Sequence, residues 1–212
     1  MRTTTTATLL ALALGIALAG CNRAADSAAS DAAATPPVAA TDALDDPAAP
    51  PPLDPAAPAT PPAGATATLA ATAGNATTAE LQFAAADGGV RITGQVNGLK
   101  PDTAHGFHVH EFGDCSAPDA SSAGGHFNPS GSPHGRVGGS APHHAGDTDN
   151  LDADATGVAT VDRMLTGATL GDGSPTDIVG KGVIVHADPD DYTTQPTGNA
   201  GGRLACGVIT AI

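Results

Sequence analysis

The sequence predicts an all-β domain, built as a Greek-key sandwich or barrel with one large loop. From residue 65 onward, short segments of alternating apolar and polar residues are separated by Gly, Asp and Asn, as in half-buried strands joined by turns. One long irregular stretch, 113–150, interrupts them, and a loop of that length needs internal contacts to order it. No segment has the periodicity of a convincing amphipathic helix.

The individual strands follow from apolar residues at every second position. Residues 90–97 alternate in this way, as do residues 80–83, and Asp87-Gly88-Gly89 between them predicts a hairpin turn. Further strands are predicted at 66–72, 106–112, 157–165, 180–186 and 203–210.

Composition divides the chain into three predicted parts. All 8 histidines lie between His105 and His186, and every aromatic residue lies beyond residue 82. Residues 22–64 are rich in Ala, Pro and Asp, and their proline runs would break any helix. We therefore expect a signal peptide at 1–20, a lipidated cysteine with a disordered tether at 21–64, and a folded domain at 65–212. A leftover without function is the alternative for the tether.

The N-terminus predicts export and lipid attachment. Arg2 and the apolar run 7–18 have the form of a secretory signal peptide. Leu18-Ala19-Gly20-Cys21 resembles the bacterial lipobox, in which the cysteine carries the lipid. We expect a periplasmic protein that contacts a membrane only through the lipid on Cys21, with the outer membrane favoured because Asn22, not Asp, follows. Ordinary cleavage and release of a soluble form is the alternative.

The charge of the predicted domain argues against a nucleic-acid partner. From residue 65 onward there are 16 Asp and Glu residues against 6 Lys and Arg residues, which gives a net charge of −10. Phosphate binding requires clustered basic residues, and the sequence has no basic cluster. The negative balance suits a protein that carries cations.

Six histidines and one aspartate form a pattern typical of a metal site. His108 and His110 lie two apart on a predicted strand, so both imidazoles project from one face. The other members follow along the chain: His126, His134, His144, Asp147 and His186. Neutral imidazole suits copper and zinc, and three histidines with one aspartate are a credible tetrahedral zinc set.

Two segments resemble the signatures of the copper/zinc superoxide dismutase family. They are Gly106–Asp114 and Gly198–Ile209, and the resemblance covers the chain from about Ala65 to its end. It implies an eight-stranded Greek-key β-barrel or sandwich of immunoglobulin-like architecture with long metal-binding loops. It also implies an oxidoreductase that dismutates superoxide to hydrogen peroxide and oxygen, with copper alternating between Cu(II) and Cu(I), to protect the exported compartment. Monomer and homodimer both stay open.

The resemblance also implies which side chains bind each metal. Copper is expected on His108, His110, His126 and His186, and zinc on His126, His134, His144 and Asp147. His126 would therefore bridge the two ions. The neighbour His143 is an alternative zinc ligand, although the spacing of His144 to Asp147 favours His144. We expect His105 to bond backbone beside the site.

Four further residues match positions of known role in the family. Asp190 is expected to link a copper histidine to a zinc histidine, and to orient both rings. Arg203 is expected to attract and orient the anion beside copper. Cys115 and Cys206 are expected to form a disulfide, for which free reactive thiols are the alternative. The segment between Asp190 and Gly198 is short and lacks lysine, so we expect weak salt-dependent steering.

Two other kinds of function compete with the enzyme. One is a metal buffer on the same sandwich, which a missing copper ligand or a missing arginine would indicate. The other is an adhesive or structural β-sandwich lipoprotein with incidental histidines, which purification without metal would favour.

Overall fold

The computed structural model describes residues 64–212, and nearly all of its regular structure is β-strand. The strands are β1 (Ala65–Ala71), β2 (Thr78–Ala86), β3 (Gly89–Asn97), β4 (Ala104–His105), β5 (Phe107–His110), β6 (Leu151–Asp152), β7 (Ala159–Thr166), β8 (Gly182–His186), β9 (Arg203–Val208) and β10 (Thr210–Ala211). One 3₁₀ turn spans Ser121–Ala123. The predicted signal peptide, Cys21 and the tether up to residue 63 lie outside the described residues, while Gly64 accepts the backbone N–H of Ile212 and so belongs to the folded domain.

Eight of the strands form one curled antiparallel sheet, as predicted. Its order is β5-β8-β9-β1-β2-β3-β7, with β10 also paired to β1. The strands β3 and β7, and β9 and β1, are neighbours although they are distant in sequence, as Greek-key connections require. The short pair β4–β6 connects the two edge strands of this sheet, β5 and β7, because β4 leads into β5 and β6 leads toward β7.

The predicted hairpin between the second and third strands is confirmed. Ala86 pairs with Gly89, which leaves Asp87 and Gly88 as a two-residue turn. Gly88 has a φ of 82°, a conformation that is unstrained only for glycine.

The predicted strands at 157–165 and 180–186 each begin two residues later, at Ala159 and Gly182, and two other strands are also shorter than the sequence pattern indicates. The strand at 106–112 begins at Phe107 and ends at His110, because Gly106, Glu111 and Phe112 donate their backbone N–H groups to loop carbonyls instead. The strand at 203–210 is interrupted at Ile209, which bonds to Lys181. The sequence pattern did not predict the short strands β4 and β6.

The alternation along β5 places the histidines. Phe107 and Val109 pack in the main hydrophobic core, while His108 and His110 project from the opposite face. Both histidines are fully buried, because the loop between β5 and β6 covers that face. Among residues 64–212, no helix is long and apolar enough to cross a membrane.

Candidate metal centre

Seven buried side chains converge in two groups that share one histidine. We call His108, His110, His126 and His186 the strand group, and His126, His134, His144 and Asp147 the loop group. Within each group one ligand atom from every residue lies within 4.8 Å of the others. The structure thus brings together all seven residues that the sequence analysis singled out.

Three members of the strand group, His108, His110 and His186, lie on the paired strands β5 and β8. His110 Nε2 and His186 Nε2 lie 3.3 Å apart, and His110 Nδ1 lies 3.0 Å from the carbonyl oxygen of Gly124. Burial, with the neighbouring histidines, holds the pKa of His110 and of His186 well below its usual range. Both rings are therefore neutral at physiological pH, as a metal ligand must be.

The loop group surrounds a single carboxylate oxygen. Asp147 Oδ1 lies 2.8 Å from His126 Nδ1, 3.0 Å from His134 Nδ1 and 3.2 Å from His144 Nδ1. Its other oxygen accepts the backbone N–H groups of Gly135 and His144. Four atoms bound tetrahedrally at zinc distances would stand about 3.3 Å apart, so these separations suit a zinc ion.

The charges within the loop group are strongly coupled. Burial alone would raise the pKa of Asp147, but the hydrogen bond from His126 and the closeness of the His134 and His144 rings hold it well below its usual range. Burial would likewise lower the pKa of His134, but Asp147 and Asp190 raise it to about 9. Asp147 is therefore an anion that a bound cation would stabilise.

Four buried ring nitrogens have no hydrogen-bond partner. They are His108 Nδ1, His126 Nε2, His134 Nδ1 and His144 Nδ1. The last two lie close to Asp147, but without the angles of a hydrogen bond. An unsatisfied buried polar group costs about 1–3 kcal/mol, and metal ions in the two groups would satisfy all four nitrogens. The donor set therefore fits copper and zinc.

Asp190 joins the two groups. One carboxylate oxygen lies 2.8 Å from His108 Nε2, and the other lies 3.0 Å from His134 Nε2. Asn150 anchors Asp190 by accepting its backbone N–H and donating to its carbonyl oxygen. Burial would raise the pKa of Asp190, but the two histidines hold it below its usual range. The ionised carboxylate leaves Nδ1 of each ring for a metal.

Arg203 is held beside the strand group. Its Nη1 donates to the carbonyl oxygen of Ala120 at 2.5 Å, and its Nη2 donates to that of Gly124 at 2.6 Å. Burial lowers the pKa of Arg203 and the charge of Asp119 raises it, yet the guanidinium stays charged. Burial and the neighbouring histidines lower the pKa of His110 and of His186 most, and the positive charge of Arg203 lowers both a little further.

The predicted disulfide joins Cys115 to Cys206, 91 residues apart. It fixes the loop that provides the carbonyl groups of Ala120 and Gly124 to the strand that begins at Arg203. A small buried cluster of Ala120, Ala123 and Ile184 packs around it. The disulfide therefore fixes the surroundings of the arginine.

The two remaining histidines lie outside both groups. His105 Nδ1 bonds to the carbonyl oxygen of His186 at 2.9 Å, in agreement with the sequence prediction. His143 Nδ1 bonds to the carbonyl oxygen of His144 at 2.7 Å, and the structure brings His144, not His143, into the loop group.

Sequence reasoning missed three contributors that act through backbone or amide groups. Gly124 and Asn150 anchor the site as described above. Gln195 accepts the backbone N–H of His134. None belongs to a metal-ligating residue type and none lies in the two signature segments, so the sequence carries no signal for these contacts.

Comparison with known families gives the arrangement its context. The model of the family described as copper/zinc superoxide dismutase (SODC) matches residues 74–209. The chain belongs to this family. Its fold is the dismutase β-barrel, its metals are copper and zinc, and its activity is superoxide dismutation.

Individual proteins are similar to this chain over most of the described residues. Superoxide dismutase [Cu-Zn] 2 of Aquifex aeolicus is 42% identical over 124 residues, which cover 57% of this chain and 72% of that protein. A crystal structure of a SOD-like protein from Bacillus subtilis is 37% identical with a TM-score of 0.61, covering 68% of this chain and 96% of that chain. The clock protein EA4 is 36% identical with a TM-score of 0.63, covering 72% and 97%.

Proposed function

We propose that the strand group of this dismutase holds copper and the loop group holds zinc, with His126 ligating both. The observation that carries the proposal is that the two ring nitrogens of His126 face different groups. His126 turns Nδ1 toward Asp147 and keeps Nε2 without a hydrogen-bond partner, so each ring nitrogen serves one group. A pair of groups that shares a ring suits two ions at close distance.

The metals and the protein divide the chemistry. When bound, copper supplies one-electron transfer by alternating between Cu(II) and Cu(I), and zinc supplies fixed charge and structure. Arg203 binds and orients the superoxide anion, because two backbone carbonyls hold its guanidinium in one position. Every turnover converts two superoxide ions and two protons into oxygen and hydrogen peroxide.

His126 is proposed to hold one of those protons at Nε2. Its Nδ1 faces the loop group, where zinc would bind, so Nε2 is the ring atom at which a proton can be taken up and released. Burial lowers the pKa of His126 to about 4, so the ring is neutral in the metal-free protein.

The test is superoxide dismutation by the metal-loaded protein with His126→Ala, using His143→Ala as the matched control. His143 lies in the same loop, outside both groups. We expect the first variant to lose at least 100-fold in kcat/KM and the second to keep wild-type activity. Full activity in His126→Ala would overturn the shared-ligand proposal.

We also propose that the protein acts in the periplasm, anchored by lipid on Cys21. The sequence pattern supports the anchor, and the Cys115–Cys206 disulfide suits an oxidising compartment. Labelling cells with radioactive palmitate should mark the wild type and leave Cys21→Ser unmarked. Equal labelling, or a cytoplasmic location of the wild type, would contradict this proposal.

A further inference from the structure

Gln195 pairs with the main chain of His134. Its Oε1 accepts the His134 N–H at 2.8 Å, and its Nε2 donates to the His134 carbonyl oxygen at 2.9 Å. A side-chain amide offers one acceptor and two donors, so this pair resembles the reciprocal bonding of antiparallel strands. One side chain thus satisfies both backbone groups of a loop-group ligand.

The segment that presents Gln195 is itself closed by hydrogen bonds. Asp191 N–H donates to the carbonyl oxygen of Gly198 at 2.9 Å, and Gly198 N–H donates to that of Thr194 at 2.7 Å. The carboxylate of Asp191 accepts the backbone N–H groups of Thr193 and Thr194. These hydrogen bonds hold the main chain of Gln195 in place, and so they restrict where its side chain can lie.

The same segment also holds the ring of His134. Asp190 Oδ1 lies 3.0 Å from His134 Nε2. Gly198 packs directly on this contact, because a Cβ atom there would overlap both the Asp190 carboxylate and His134 Nε2. We call residues 190–198 the latch segment, since they restrain both the ring and the backbone of His134.

We propose that Gln195 is a positioning residue for the zinc ligand His134, and that the latch segment slows the release of zinc. The inference rests on the assignment of zinc to the loop group made under Proposed function. His134 can leave the ion only if its ring or its main chain moves. Movement of the main chain breaks both hydrogen bonds to Gln195, so these bonds oppose the first step of release.

The test compares full-length variants loaded with zinc and copper. Gln195→Met keeps the length of the side chain and removes both hydrogen bonds. Gln195→Glu has no proton to donate to the His134 carbonyl at neutral pH. The matched control is Thr194→Val, which removes a 2.6 Å hydroxyl bond to Asp191 within the same segment and leaves the bonds to His134 in place. Zinc transfer to a coloured chelator gives the release rate, and the visible spectrum of the Co(II)-substituted loop group reports ligand geometry.

We expect both Gln195 variants to release zinc faster, Gln195→Met by about tenfold, and to shift the Co(II) spectrum. Thr194→Val should stay within twofold of the wild type. Wild-type rates and spectra in both Gln195 variants would overturn the inference, as would equal acceleration in Thr194→Val. His134→Ala tests the underlying assignment: if it keeps the wild-type zinc content and Co(II) spectrum, the proposed zinc site itself is wrong.

Discussion

Gly124 presents its carbonyl oxygen to Arg203, whose Nη2 lies 2.6 Å away. The same oxygen lies 3.0 Å from Nδ1 of His110, a member of the strand group. One backbone oxygen therefore contacts both the arginine that we propose orients superoxide and a proposed copper ligand. This shared contact would tie the proposed orientation of superoxide to the geometry of the metal site.

Replacing Arg203 with lysine should show whether the reaction needs only a positive charge at this position or also its fixed orientation. Arg203→Lys keeps the positive charge but cannot donate to Ala120 and Gly124 at once, so the cation loses its fixed position. We expect kcat/KM for superoxide to fall about tenfold with unchanged metal content. Arg91→Lys, on an exposed sheet pair with Asp162, is the control and should be neutral. Wild-type activity in Arg203→Lys would show that charge alone is enough.

The charge of Asp119 should weaken the attraction of superoxide to Arg203. Asp119 is exposed, directly precedes Ala120, and acts electrostatically on the guanidinium. Superoxide is an anion, so removing this negative charge in Asp119→Asn should raise kcat/KM about twofold at low salt. Asp114→Asn on the same loop is the control.

The dependence of the wild-type rate on ionic strength should be shallow. The domain has a net charge of −10 and the latch segment carries no lysine, so long-range steering of an anion is weak. Stopped-flow rates across a series of salt concentrations measure this slope. A steep loss of rate with salt would contradict the expectation.

Removing the disulfide should destabilise the fold and disturb Arg203. The bond closes a loop of 91 residues, which the chain-entropy model values at about 4–5 kcal/mol. We expect the free energy of unfolding of the double variant Cys115→Ser, Cys206→Ser to lie below that of the wild type by this amount. Denaturant titrations of the metal-free proteins measure the difference. A loss below about 1 kcal/mol would mean that the loop is held by other contacts.

The stability of the metal-free protein should fall at alkaline pH. The pKa of His134 is raised to about 9, so its protonated form stabilises the fold fully below the unfolded pKa of about 6.5. This stabilisation is lost as pH rises through about 9. Thermal melts should show a midpoint that falls by a few degrees between pH 7 and pH 9.5.

The variant His134→Gln isolates this group, and its melting midpoint should be flat over the same interval. The pKa values of His110 and His186 are lowered in the fold, so these groups reduce stability only as pH falls below about 6.5. They do not contribute to a change between pH 7 and pH 9.5. A wild-type midpoint that is constant or rises from pH 7 to pH 9.5 would contradict the coupling of His134 to Asp147 and Asp190.

The strands and two of the candidate metal ligands were predictable because they have a local signature. Alternation along 90–97 predicts a half-buried strand, and the spacing of His108 and His110 puts two imidazoles on one face. The ends of strands were less predictable. Glu111 and Phe112 continue the pattern but bond to the loop at 123–125, a tertiary contact that strand periodicity does not encode.

The supporting contacts of the site were not predictable from residue type. Gln195 and Asn150 are ordinary polar residues in sequence, and their roles depend on meeting His134 and Asp190 in space. Backbone oxygens such as that of Gly124 carry no sequence signal at all. Such contacts become visible only once the fold brings distant segments together.

The central claim is that His126 serves both metals, one through each ring nitrogen. The most direct measurement is a crystal structure of the copper- and zinc-loaded protein, with anomalous diffraction recorded at the absorption edge of each metal. The account predicts a copper peak next to His126 Nε2 and a zinc peak next to His126 Nδ1. A His126 ring that contacts one metal only, or none, would contradict it.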